Sequence, residues 1–101
     1  MAVDLSCYVS GKKNEVEEEI KLFADQHQEL FPKKFIISGI REAGAIHKEI
    51  ALEYGLNAQS VFLISLNDKS AAGLVLNVAS MLKSVIGESN IVILHGNEKL
   101  I

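Results

Sequence analysis

The sequence predicts one α/β domain over residues 1–101, in the order βαβαβαβ, with a mainly parallel sheet and helices on both of its faces. Three observations lead there. Apolar runs of strand length alternate with longer stretches of helical periodicity. Breakers separate them, among them Gly11, Pro32, Gly55, Gly87 and Gly96. And 101 residues, 49% hydrophobic and 23% charged, suffice for one core but not for two. Helical crossovers between successive strands imply parallel neighbours with right-handed connections.

The first element, "AVDLSCYV", alternates: Val3, Leu5, Cys7 and Val9 face one way and Asp4, Ser6 and Tyr8 the other. That pattern predicts a strand near an edge, with one wet face. A helix follows from about Glu15 to Leu30, with Val16, Ile20, Phe23, Ala24, His27 and Leu30 on one side. Asn14 and Glu17 have the spacing of an N-terminal capping pair, and Pro32 ends the helix. "KFIISGI" is apolar throughout, as a strand covered on both faces would be.

Ser38 is placed to cap a second helix, roughly Ile40 to Tyr54, closed by Gly55. Its inner stripe is Ala43, Ile46, Ile50, Ala51 and Tyr54, and Glu42, Glu49 and Glu53 align on a neighbouring stripe. "SVFLISLN" is the third strand, after which Asn67 or Asp68 caps a third helix, "KSAAGLVLNVASMLKSVI", ended by Gly87. The apolar surface of that helix is wide enough to be deeply buried or shared with a second copy in a homodimer. "NIVILH" is the fourth strand, and Gly96-Asn97 begins a hairpin that adds "EKLI" as a short antiparallel strand.

The formal charge is −3, unevenly spread. Residues 14–30 carry Glu15, Glu17, Glu18, Glu19, Asp25 and Glu29 against Lys21 alone, so that segment is −5 and the remainder +2. No basic footprint for nucleic acid is present. The acidic stretch is either a solvated helix face or a surface that steers a basic protein partner. A lone cysteine cannot staple a small domain, there is no N-terminal signal, and the unbroken apolar runs are short of a membrane span. These features point to a cytoplasmic protein with no membrane or metal partner, held together by packing.

Candidate chemistry is sparse. Gly11-Lys12-Lys13 lacks the upstream glycine of a phosphate-binding P-loop. Cys7 has two readings: a thiolate at the lip of a phosphate loop, as in small cysteine phosphocarrier domains of sugar-transport systems, or a small core hydrophobe in register with Leu5 and Val9. Ser38, Asp68 and His95 would share one rim if all strands ran parallel, but the G-x-S-x-G nucleophile elbow is absent. His27, His47 and His95 have no ligand at short spacing, which argues against zinc, and no cofactor is implied.

The opening "MAVDLSCYVS" and the run "KKFIISGIREAGAIHKEIALEYGLNAQSVFLISLNDK" resemble small immunity proteins of bacterial contact-dependent growth inhibition and related polymorphic toxin systems. The resemblance implies a cytoplasmic antitoxin that binds and blocks a toxin domain, often a nuclease, with no catalytic residues of its own. A nuclease is basic because it must hold phosphates, which suits the acidic surface read above. The residues expected to meet the partner are Glu42, Glu49 and Glu53 with Arg41 and Leu52, together with the loop Asn67, Asp68 and Lys69. Glu15, Glu18 and Glu19 at the start of the first helix are the second choice.

Overall fold

The computed structural model describes residues 4–96 and 99–101. Its elements are β1 (Asp4–Val9), α1 (Lys13–Gln26), β2 (Phe35–Ile37), β3 (Arg41–Glu42), α2 (Ala45–Leu52), β4 (Ser60–Leu66), α3 (Val75–Ile86), β5 (Ile91–His95) and β6 (Lys99–Leu100), with a 3-10 turn over Lys69–Leu74 leading into α3. The strands form one sheet in the order β2-β4-β1-β5-β6, with β3 also paired to β4.

Every adjacent pair in this sheet is antiparallel, which overturns the mainly parallel expectation. The physical reason is interleaving. β1 and β2 are joined through α1 and run parallel, but β4 lies between them; β4 and β5 are joined through α3 and run parallel, but β1 lies between them. These are two split β-α-β units, the ferredoxin-like arrangement, with α2 inserted in the connection from the edge strand β2/β3 to β4. A β-α-β pattern in sequence says that two strands run parallel, not that they touch.

β1 is therefore central, not near an edge, and both of its faces are covered. Leu5, Cys7 and Val9 enter the main core with Val16, Ile20 and Phe23 of α1, Phe62 and Ile64 of β4, Ile93 of β5 and Val78, Ala79 and Leu82 of α3. The opposite face holds a smaller core of Tyr8, Ala51, Leu56, Ala58, Val61, Val92 and Leu94. Tyr8, expected to be wet, is buried because its ring is apolar body enough to pack under α2. By length and composition the stretch Lys69–Ile86 could cross a membrane, yet its inner side is packed on the sheet, with Val78, Ala79 and Leu82 fully buried.

"KFIISGI" is an interrupted edge strand, with Ile36 exposed rather than covered. Ile37 pairs with Ile64 and Arg41 with Val61, so three residues on the edge oppose two on β4. The extra residue makes a β-bulge. Ser38 stabilises it: its N–H donates to Leu63 O at 2.8 Å and its Oγ accepts from Leu63 N at 2.8 Å. That hydroxyl is consequently not a helix cap. α2 begins at Gly44, whose N–H donates to His47 Nδ1 at 3.0 Å, so Arg41 and Glu42 are strand rather than helix. At α1 the N-cap is Lys12, without a side-chain bond, in place of the Asn14–Glu17 pair.

Asp68 does cap the next element, accepting from Ser70 N at 3.0 Å. Gly55 and Gly87 take positive φ after α2 and α3, a conformation that costs glycine least. β6 pairs antiparallel with β5, His95 opposite Lys99; Asn97 and Glu98 of the expected hairpin turn lie outside the described residues.

Two outcomes test this core. Leu82→Ala removes a fully buried side chain and is expected to cost about 2–5 kcal/mol in urea unfolding. Cys7 is 1% exposed, and burial pushes its thiol well above the ordinary cysteine range. A thiol reagent should therefore label Cys7 only as the protein unfolds, and fast labelling of the native protein would contradict this packing.

Candidate functional site

The catalytic candidates do not assemble. Because neighbouring strands alternate in direction, their carboxyl ends lie at opposite ends of the sheet. β1 and β2 end at one side of the sheet, while Asp68 follows β4 and His95 ends β5 at the other. Ser38 is held in the bulge between them, and Asp68 is engaged with Ser70, whose hydroxyl and N–H hold its carboxyl below the usual range. Gly11 serves packing rather than phosphate: a Cβ there would meet Val16 Cγ2 at 3.1 Å, and its carbonyl accepts from Ser60 Oγ at 2.9 Å. Among the described residues no group of three or more His, Cys, Asp or Glu is placed to hold a metal.

The surface candidates separate into three places. Glu42 ends β3 on the side facing the start of α1, where a cleft of about 350 Å³ is lined by Lys12, Lys13, Asn14, Ala43, Lys48 and Gln59 as well. Lys13 is paired with Glu17 at 2.8 Å, and that carboxylate raises the lysine's pKa. A second cleft shares Lys48 and Gln59 with the first and adds Glu49, Leu52, Asn57 and Ala58. Glu42, Glu49 and Leu52 thus border one continuous rim, although Glu42 is not on the helix and no three-glutamate helical stripe exists. Asn67, Asp68 and Lys69 lie past the far end of β4, about 20 Å away at roughly 3.3 Å per strand residue, with Asn67 Nδ2 donating to Lys33 O. Glu15, Glu18 and Glu19 are exposed on α1.

Arg41 takes the opposite face from Glu42. It borders a groove of about 230 Å³ between α2 and the sheet, lined by Tyr8, Ile46, His47, Ile50 and Leu63 over a floor of Ser6, Cys7, Val61 and Phe62. Ile46 was expected on the inner stripe of the second helix but is 71% exposed. Leu52 and Tyr54 are exposed as well, so three of the large exposed hydrophobics fall within nine residues of α2 and its C-terminal turn. Ile50 and Ala51 do face the sheet as expected, with Ala43 beside them and His47 in place of Ile46. No local signal selects this face: Ile46 and Ile50 have helical spacing, and the packing of Ile50 and Ala51 against the sheet decides which side is inner.

The helix that connects the edge strand to β4 presents Ile46, Glu49, Leu52 and Glu53 outward, a mixture of aliphatic and acidic side chains. Comparison with known proteins identifies the family. The family profile of the CDI System Immunity Component matches residues 1–99. The immunity protein CdiI-2 of Burkholderia pseudomallei (strain 1026b) is 44% identical over 98 residues, 97% of each chain. A chain of the solved CdiA-CT/CdiI toxin and immunity complex from Burkholderia pseudomallei superposes with a TM-score of 0.93 at 42% identity, covering 97% of this chain and 95% of that one. The chain belongs to the family of immunity components of contact-dependent growth inhibition systems, and it is an immunity protein rather than an enzyme.

Proposed function

We propose that this immunity protein acts in the cytoplasm by holding a cognate toxin domain in a stable complex, that the toxin is a basic nuclease, and that the rim of Glu42, Glu49, Leu52 and Glu53 with Arg41 is the surface that meets it. The observation that carries the toxin-binding reading is the match over nearly the whole chain to a toxin and immunity complex. The charge distribution supports the basic partner. Glu15, Glu18 and Glu19 on α1 and Glu49 and Glu53 at α2 are all exposed, and their combined potential raises the rate at which a positively charged domain arrives. Leu52 and Ile46 beside the glutamates supply apolar area that a partner can cover. The Asn67–Lys69 loop lies about 20 Å along β4 from this rim and is a separate contact region in this reading.

The test is growth rescue and binding together. Cells that make the toxin domain encoded beside this chain's gene should survive only when this chain is co-produced, and the two proteins should co-purify. The double substitution Glu49→Lys/Glu53→Lys should slow association roughly ten-fold at low salt, with a smaller effect at high salt. An unchanged association rate would remove α2 from the steering surface.

A further inference from the structure

We propose that the groove between α2 and the sheet is an anchor pocket in which Arg41 grips a carboxylate of the cognate toxin, an aspartate or glutamate flanked by apolar residues. The inference rests on the toxin-binding reading and names the partner chemistry of one part of that surface.

Charge sets the groove apart from the other concavities. The clefts beside α1 and outside α3 mix signs, Lys12, Lys13 and Lys48 with Glu42 in one and Lys83 with Glu88 in the other. The hollow under Pro32 likewise pairs Asp25 with Lys33. In the groove, Arg41 is the one permanently charged lining residue, and the others are mainly apolar or aromatic. Its guanidinium makes no ion pair or side-chain hydrogen bond to any described residue. An arginine fork left open in an apolar setting complements a carboxylate, which it takes by two parallel N–H···O bonds.

The dimensions favour a protein side chain as the occupant. About 230 Å³ is below the roughly 300–1,000 Å³ of small-molecule sites, and exposed Ile46 at its lip gives the flanking residues of a partner something to cover. The pocket is also built by the backbone. Strand residues alternate between faces, so without the extra residue of the Ser38–Ile40 bulge Arg41 would point to the α1 side and Glu42 into the groove. The bulge decides which sign of charge the groove receives.

The experiment is kinetic, on the full chain and the toxin domain encoded beside its gene. Arg41 is exposed and makes no ion pair or side-chain hydrogen bond to any described residue, so Arg41→Gln should fold with unchanged circular dichroism and melting temperature. It should raise the dissociation rate at least about ten-fold while changing association much less, since an anchor covered in the complex acts on dissociation. Arg41→Lys should recover only part of the loss. Alanine replacement of the toxin's acidic residues, one at a time, should find one whose effect vanishes in the Arg41→Gln background. Dissociation unchanged within two-fold, or no toxin acid coupled to Arg41, overturns the anchor while leaving toxin binding intact. Failure of the unaltered chain to bind that toxin overturns both.

Discussion

The structure depends on the double pairing of β1. Asp4–Val9 is hydrogen-bonded along its length to β4 on one side and to β5 on the other, both antiparallel. It is at once the first strand of one β-α-β unit and the strand that separates the two parallel strands of the other. Neither unit can complete its sheet without the other's strand. The same six residues feed two cores, Leu5, Cys7 and Val9 into the larger and Tyr8 into the smaller. Burial on both sides places Cys7 in the middle of the sheet, away from the loop position that a reactive-thiol reading needs.

On this framework the surface proposed to meet the toxin is an insertion. The split β-α-β core needs only a hairpin between its edge strand and the next strand inward. Here residues 43–59 fill that place and include α2, whose eight residues span about 12 Å. So short a helix covers only the Tyr8–Val61–Val92 part of the sheet, which is why aliphatic side chains remain outside on α2 and a groove remains beneath it. The bulge in the edge strand then presents two adjacent residues of opposite charge to two different faces, Glu42 toward the start of α1 and Arg41 toward the groove.

The two signs work at different ranges. Exposed glutamates on α1 and α2 act through solvent, over distances of about the Debye length, roughly 8–10 Å at physiological salt. In the proposed complex they would favour arrival and orientation and add little to a contact once made, because exposed ion pairs are typically worth about 0–1 kcal/mol. A fork such as Arg41 acts only in contact, where the partner's approach excludes water and the geometry of two parallel bonds must be met. An inhibitor that has to recognise one toxin among several related ones benefits from both, since the first is tolerant and the second is selective.

Much of this was legible without coordinates. Periodicity and breakers predicted alternating helices and strands, the approximate spans of α1 and α3, a cap at Asn67 or Asp68, the glycines after α2 and α3, and the acidity of α1, because these follow from local propensity, local hydrogen bonding and counted charge. The resemblance in the residues also determined the family. Tertiary structure alone decided that the strands interleave, since whether parallel strands are neighbours depends on which long-range pairs win, and no local pattern encodes that. It alone decided that Ser38 bonds across to Leu63 instead of capping a helix, which leaves Arg41 and Glu42 in a strand on opposite faces, and that α2 packs through Ile50 and Ala51 with Ile46 outside. A one-residue change of register is invisible in a chain of alternating side chains, yet it exchanges everything that the two faces of a sheet present.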